Sequence, residues 1–223
     1  MKCFSSHERC IQAAVGLQLV LLTAAFFLTE RGNSAGRSPV AEGDVAAKMA
    51  YCQDCHGPSG QGYSGYYPIP RLAGQQPQYF KNQLEAFREG RRTNKIMFDI
   101  ARSLNTAMTA ALAADFRAFN PRPLGGGPKQ LVPTGRQLFQ NGVPDANVAA
   151  CAACHAPDAQ GSGEIPRLAG QLYEYVVNEL IDWSNERGGH AAREDTSAIM
   201  SPVAHSLTRS QVKAVAAYVS YLR

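Results

Sequence analysis

Apolar side chains recur at the three- and four-residue spacing of an amphipathic helix, most clearly at Phe80, Leu84 and Phe87. Glycine- and proline-rich stretches separate such segments, and no segment shows the strict alternation typical of a half-buried strand. The pattern therefore predicts an all-α protein with long loops. The predicted helices cover residues 44–49, 77–88, 106–119, 134–141, 172–183 and 208–222, the first with Asp44 as its N-cap.

The N-terminal segment has a different pattern. Lys2 and Arg9 precede an uncharged, mostly apolar run over residues 11–28, and small residues follow at 33–36. This predicts that residues 1–35 are either a cleaved signal peptide or an uncleaved membrane anchor. Either outcome places the rest of the chain outside the cytoplasmic membrane. No role is assigned to Cys3 and Cys10.

The remaining chain is a duplication. The hexapeptide Pro-Arg-Leu-Ala-Gly-Gln occurs at 70–75 and again at 166–171, and an Ile-Met segment at 96–104 recurs at 199–207. Each half has the length of one small domain. The proline- and glycine-rich residues 120–129 cannot continue a helix. We therefore predict a first half over residues 36–124 and a second half over 125–223, joined by a linker short enough that the two halves touch.

Each half contains one Cys-x-x-Cys-His motif, which is the attachment pattern of a c-type haem. The residues are Cys52, Cys55 and His56, then Cys151, Cys154 and His155. Two thiols at this spacing lie on one side of a helical turn, where both can form thioethers with one porphyrin, and the histidine then meets the iron. A thiolate zinc site or a redox-active cysteine pair leaves the two histidines unexplained. The motifs predict two covalent haems and no disulfide.

The duplication also selects candidates for the sixth iron ligand. Met97 and Met200 occupy equivalent places in the Ile-Met segments. Methionine opposite histidine closes the iron site and raises its potential, as suits an electron carrier. Met49 and Met108 are interpreted as core residues, and two further histidines, at positions 190 and 205, as surface residues.

The repeated hexapeptide offers two kinds of support for a haem. The carbonyl of Pro70 or Pro166 is placed to accept from the histidine Nδ1–H, with Pro68 a rival in the first half. Other side chains of the hexapeptide either meet the haem propionates or serve only a turn that both copies need. These side chains are Arg71, Gln75, Arg167 and Gln171.

Charge divides unevenly between the halves. Residues 36–124 carry a net charge of +4 and residues 125–223 a net charge of −1, before any haem is added. The first half either faces an acidic partner or has an ordinary solvated surface. No long basic run suggests nucleic-acid binding.

The two attachment motifs, the twin hexapeptides and the twin Ile-Met segments together resemble the cytochrome c4 family over residues 41–223. The resemblance implies two tandem class I cytochrome c domains related by a pseudo-twofold axis, with the propionates near their interface. It implies His56 and Met97 on one iron and His155 and Met200 on the other. One departure is visible: the glycine usual after the haem histidine is present as Gly57, but Ala156 replaces it in the second half, so the turn there is expected to differ.

The resemblance implies a periplasmic electron carrier between redox proteins, such as a quinol-oxidising complex and a terminal oxidase, and not an enzyme. One alternative is a haem-bearing subunit of a larger oxidoreductase, held at the membrane by its N-terminal segment. The other is a dihaem enzyme, such as a peroxidase or a thiosulfate-oxidising cytochrome, which needs an open or labile iron site.

Overall fold

The computed structural model describes residues 41–187 and 197–223; the N-terminal segment 1–35, the residues up to 40 and position 190 lie outside them. The described part is all-α, as predicted. Its helices are α1 Glu42–His56, α2 Pro77–Arg88, α3 Lys95–Arg102, α4 Thr106–Ala118, α5 Val132–Asn141, α6 Ala152–His155, α7 Tyr173–Ile181, α8 Trp183–Arg187, α9 Ser197–Ser206 and α10 Arg209–Tyr221. In this part of the chain, extended segments form only isolated bridges such as Tyr63 with Ile69.

Helix α2 matches its prediction residue for residue, and α4, α5, α7 and α10 differ from theirs by two residues or fewer at each end. Thr208 caps α10: its hydroxyl accepts from the Gln211 N–H at 3.3 Å, and the Gln211 side chain returns the bond at 2.8 Å. This reciprocal capping box explains why the helix begins there.

The prediction for α1 is wrong at both ends. The helix starts at Glu42, so Asp44 lies in its first turn rather than at the cap, and the helix continues through the attachment motif to His56. An acidic residue in the first turn still favours the positive end of the helix dipole. The consequence of the longer helix is that Cys52, Cys55 and His56 share one rigid element.

Helices α3 and α9 contain the two Ile-Met segments, for which no helix was predicted. The Asn94 side chain accepts from the Met97 N–H at 3.0 Å and so caps α3. Each Ile-Met pair therefore lies in the first turn of its helix.

Each half has its own hydrophobic core. In the first half α4 packs on α1 and α2, and the buried cluster is Met49, Phe80, Leu104, Met108, Leu112, Ala113 and Phe116. In the second half α10 packs on α5 and α7, around Phe139, Ala159, Ala169, Val176, Val215, Ala216, Tyr218 and Val219. The prediction that Met49 and Met108 are core residues is confirmed.

The crossing of α5 and α10 depends on a residue without a side chain. A Cβ on Gly135 would collide with the carbonyl oxygen of Ala214. One helical turn further on, Phe139 packs against Tyr218 with ring centroids 5.4 Å apart. Among residues 41–187 and 197–223, no helix is long and apolar enough to cross a membrane.

Candidate haem-binding sites

The attachment cysteines sit on comparable elements in the two halves. Cys52 and Cys55 lie near the end of α1, while Cys151 directly precedes α6 and Cys154 lies within it. In both motifs the first cysteine is partly buried and the second is exposed. Burial raises the pKa of the Cys52 and Cys151 thiols. Each pair thus lies at the edge of a core with thiols available for thioether formation.

Both motif histidines are buried and held through one ring nitrogen. His56 Nδ1 donates to the Pro70 carbonyl at 2.8 Å, and His155 Nδ1 donates to the Pro166 carbonyl at 3.1 Å. The predicted role of these two carbonyls is confirmed, and Pro68 does not take it. A carbonyl in this position fixes the ring orientation and selects the Nδ1–H tautomer.

The same geometry leaves the other ring nitrogen available. Burial lowers the pKa of His56 and of His155, while the bond to the proline carbonyl acts in the opposite direction. A neutral imidazole protonated at Nδ1 presents a lone pair at Nε2. Within the described part of the chain, no hydrogen bond engages either Nε2 atom. The residues present therefore fit an iron at this nitrogen.

The residue that follows each histidine adopts the same strained backbone in both halves. Gly57 has φ 84° and ψ 151°, and Ala156 has φ 68° and ψ 157°. The expectation that the alanine changes the local turn is wrong. The turn that brings the chain from the histidine to its proline carbonyl overrides the steric preference of the alanine.

Met97 and Met200 lie at matching places, in the first turns of α3 and α9. Both are partly buried, whereas the preceding residues Ile96 and Ile199 are 71% and 67% exposed. The methionines thus lie on the inner side of their helices, at positions that the duplication makes equivalent. Their pairing with His56 and His155 stays a prediction.

The side-chain amide of each hexapeptide glutamine is hydrogen-bonded to the backbone of the opposite half. The Gln171 amide binds the backbone of Arg71: its Oε1 accepts from the Arg71 N–H at 2.9 Å and its Nε2 donates to the Arg71 carbonyl at 3.0 Å. Gln75 makes the same pair of bonds with Arg167, at 2.8 and 3.1 Å. Each amide oxygen and one of its N–H groups are thus bonded to the opposite half, while a contact of these glutamines with a propionate stays a prediction.

The arginines of the hexapeptide have spare donors. Arg71 and Arg167 are 3% and 7% exposed, and each donates its Nε–H to a carbonyl two residues ahead at 3.0 Å. Within residues 41–187 and 197–223, Arg71 Nη1 and Arg167 Nη2 are buried and have no hydrogen-bond partner. Burial, followed by the charge of Arg167, lowers the pKa of Arg71 to about 10. Such buried guanidinium groups call for an anion.

A second contact between the halves was not predicted. The Glu179 carboxylate lies between Arg92, at 2.6 Å from Oε1, and Arg187, at 2.5 Å from Oε2. Both guanidinium groups also donate to Gln83 Oε1, at 3.0 and 2.7 Å. Arg92 belongs to the first half. Burial by itself would raise the pKa of Glu179, but the positive charges of Arg92 and Arg187 lower this pKa to about 2. The repeat register did contain a signal, because Gln83 and Glu179 occupy equivalent positions after the hexapeptides.

The sequence profile of the cytochrome c family matches the chain twice, over residues 40–118 and 132–223. Each matched segment contains one attachment motif. The two segments leave out the residues around the predicted linker.

Individual proteins of this type are similar over most of the chain. Cytochrome c-552 of Acidithiobacillus ferridurans is 36% identical over 199 residues, covering 84% of this chain and 83% of that protein. The thiosulfate dehydrogenase electron acceptor of Thiomonas intermedia is 33% identical over 193 residues, covering 82% and 83%. The solved structure of a cytochrome c4 from Acidithiobacillus ferrooxidans is 35% identical with a TM-score of 0.66, and the match covers 78% of this chain and 99% of that one.

Proposed function

Since the chain belongs to the cytochrome c family, within its dihaem cytochrome c4 group, and carries two covalently bound c-type haems, we propose that it moves single electrons from a respiratory donor to an acceptor in the periplasm. When bound, each haem supplies a one-electron iron couple. The observation that carries the proposal is the equivalence of the two sites. Each has a buried histidine with Nδ1 bound to a proline carbonyl and a methionine at the matched helix position.

The proposed attachment residues are Cys52 and Cys55 in the first half and Cys151 and Cys154 in the second. When the haems are bound, His56 and Met97 would hold one iron, and His155 and Met200 would hold the other. Histidine and methionine together leave no coordination position for oxygen or peroxide. For this reason we propose a carrier rather than an enzyme.

We further propose that the propionates are the anions that Arg71 and Arg167 require. Each arginine is more than nine-tenths buried and has one nitrogen without a hydrogen-bond partner among the residues that the structure describes. Each also lies against the opposite half, with Arg167 Nη1 3.0 Å from a Cβ built on Gly74. A carboxylate of the porphyrin would restore the pKa of these guanidinium groups and satisfy their donors.

A spectroelectrochemical titration of the purified protein tests the carrier function. Two one-electron transitions at relatively high potential are expected, with both haems low-spin and showing a thioether–iron charge-transfer band. Met97→Ala should remove the band of one haem and lower its potential. Met108→Ala, which truncates a methionine of the core, should leave both bands in place. A high-spin haem or peroxide turnover by the native protein would contradict the proposal.

A second candidate concerns the donor. One relative is a thiosulfate dehydrogenase electron acceptor, and its similarity extends over 82% of this chain. On this candidate the protein receives its electrons from an oxidoreductase that oxidises thiosulfate. Rapid haem reduction by thiosulfate together with such a dehydrogenase, and none by thiosulfate alone, would support it. Reduction by thiosulfate alone would instead indicate that the chain is itself the enzyme.

The compartment and the domain limits belong to the same proposal. We place the haem domains, residues 36–124 and 125–223, in the periplasm, because residues 1–35 read as a signal peptide or an anchor. The net charge of +4 on the first half suits an acidic redox partner. Mass spectrometry of the mature N-terminus distinguishes a soluble protein from an anchored one.

A further inference from the structure

The peptide units that hold the two haem histidines are themselves held by the opposite half. The carbonyl of Pro70 and the N–H of Arg71 belong to one amide group. Its oxygen accepts from His56 Nδ1 at 2.8 Å, and its N–H donates to Gln171 Oε1 at 2.9 Å. A continuous chain of two hydrogen bonds therefore leads from His56 to the second half.

The second site repeats this chain in the other direction. The oxygen of the amide between Pro166 and Arg167 accepts from His155 Nδ1 at 3.1 Å. The N–H of the same amide donates to Gln75 Oε1 at 2.8 Å. Each half thus supports the histidine of the other.

The orientation of each glutamine amide is fixed by its partners. Gln171 Oε1 accepts from two backbone groups, Arg71 N–H and Leu172 N–H, both at 2.9 Å. A backbone N–H can only donate, so the oxygen cannot be exchanged with the nitrogen. Gln171 is 7% exposed, as is Gln75, and water therefore competes little for these bonds.

An amide that donates through its N–H becomes a stronger acceptor at its carbonyl oxygen. A stronger acceptor at Nδ1–H makes the imidazole a more basic iron ligand, which favours the ferric state. We propose that Gln171 is a positioning residue that lowers the reduction potential of the haem held by His56, and that Gln75 does the same for the haem held by His155. The inference rests on the proposed axial role of the two histidines.

Gln171→Met in the full-length holoprotein tests this, because methionine keeps the length and approximate volume of the side chain but neither hydrogen bond. The substitution in the second half should change the haem of the first half. The reduction potential of the haem held by His56 should rise and the His56 Nδ1–H proton resonance should move upfield, while the haem held by His155 keeps its native potential and resonance. Gln75→Met should affect the His155 haem alone. A change confined to the haem of the substituted half, or an equal shift of both haems, would overturn the inference.

Gln76→Met is the matched control. The Gln76 amide also crosses the interface, but it donates to the carbonyls of Gln160 and Gly161, at 2.8 and 3.0 Å, and neither of these oxygens accepts from a histidine ring. Both potentials should stay at their native values. A shift in this control as large as that of Gln171→Met would show that loosening the interface is sufficient, and the inference would be wrong.

A second variant covers the case in which Gln171→Met separates the halves. Gln171→Glu keeps an acceptor for the Arg71 N–H, and its protonated carboxyl can still donate to the Arg71 carbonyl as the native amide does. As the pH is raised and this carboxyl ionises, the added negative charge should move the His56 Nδ1–H resonance downfield. No movement on ionisation, or movement in the same direction as for methionine, overturns the inference. If the native protein shows no Nδ1–H resonance from an iron-bound histidine, the proposed role of the histidines as iron ligands is wrong as well. If the native protein has two histidine–methionine haems but the variants leave them unchanged, only the present inference is wrong.

Discussion

At the scale of single residues, the turns after the two haem histidines have the same backbone conformation, with glycine in one half and alanine in the other. Ala156 has φ 68° and ψ 157°, close to the values of Gly57. Residues other than glycine are strained in this region by about 1–3 kcal/mol. We expect Ala156→Gly to raise the free energy of unfolding of the second half by about 1 kcal/mol. Denaturant unfolding of the holoprotein, followed in the haem absorbance, measures the change.

The reverse substitution provides the control. Alanine at Gly57 meets the same backbone strain, and its Cβ would lie 2.7 Å from Gln61 Cδ. Gly57→Ala should therefore destabilise the first half. Equal stability of both variants and the native protein would show that the turn relaxes to accommodate a Cβ.

Local chemistry explains which residues were predictable. The proline carbonyls follow from the spacing between histidine and hexapeptide, and the structure confirms them. The partners of Gln75 and Gln171 were missed because they lie 92 and 100 residues away along the chain. A repeated motif shows that a residue matters in both copies, but not that its contact lies in the other copy.

At the scale of helices, the crossing of α5 and α10 depends on Gly135. A Cβ there would overlap the Ala214 carbonyl, so the helices must move apart or shift along each other. Overpacking of this kind costs about 1–3 kcal/mol. We expect Gly135→Ala to lower the free energy of unfolding by about 2 kcal/mol, as measured by chemical denaturation.

Gly43 is a helical glycine without such a neighbour: in the described part of the chain, no heavy atom outside its own helix backbone and its two chain neighbours lies within 4 Å of a Cβ built on it. Gly43→Ala should leave stability unchanged or raise it by up to about 1 kcal/mol, because alanine has the higher helix propensity. If both alanine variants behaved alike, helix propensity rather than the close approach of the helices would decide the outcome at Gly135.

The helices were predicted correctly where ordinary apolar residues form the whole buried face. Helix α1 was predicted too short because a cysteine continues its buried face. In α1 the side chains that pack on the core are Val45, Met49 and Cys52. When cysteine is interpreted only as an attachment residue, the stripe ends at Met49 and the helix is cut short. The Ile-Met segments of α3 and α9 were interpreted only as sources of an iron ligand, and Pro202 in the interior of α9 argues against a helix there.

At the scale of the whole molecule, Glu179 pairs with Arg92 of the first half and with Arg187 of its own half. Its carboxylate is 7% exposed and contacts Arg92 and Arg187. Removing one partner of such a group leaves buried charge uncompensated, at a cost of about 3–5 kcal/mol. We expect Glu179→Ala to lower the free energy of unfolding by about 3 kcal/mol, as measured in denaturant titrations.

The exposed pair of Glu85 with Arg88 is the matched control. Their atoms are 2.6 Å apart, but the side chains are 49% and 43% exposed. Glu85→Ala should change stability by less than about 1 kcal/mol. Similar losses in both variants would mean that the buried network contributes no more than a surface ion pair.

The same network predicts a pH dependence. Burial, followed by the charge of Glu179, raises the pKa of Glu186 from 4.5 to about 7. The folded protein thus holds a proton that the unfolded chain releases near pH 4.5, so this contribution to stability is complete below pH 4.5 and is lost as the pH rises through about 7. The groups facing Glu186 are Glu179, Arg92 and Arg187.

Stability measured from pH 4.5 to pH 7.5 should therefore contain a falling component that Glu186→Gln removes. Glutamine stays neutral across this range and resembles the protonated acid. An identical pH profile for the variant and the native protein would show that Glu186 titrates as an ordinary carboxyl.

The duplication predicted two haem domains and the short linker predicted their contact; the two family matches and the hydrogen bonds between the halves agree with these predictions. What the duplication did not predict is how the halves are joined, because Arg92 meets Glu179 only where the two halves pack together. Charge counts per half also miss this network, since a buried ion pair and a solvated one contribute equally to a net charge.

The twin hexapeptides form a self-complementary surface. Each copy supplies one glutamine amide and receives one, so the contact closes between two copies and offers nothing to a third. Residues 120–129 raise the effective concentration of the two copies for each other, and they also contact the hexapeptides, since Arg71 Nη2 donates to the Pro121 carbonyl at 3.1 Å. The contact between the two hexapeptides therefore resembles the interface of a homodimer. Because a short linker joins the two copies, the formation of this contact does not depend on protein concentration.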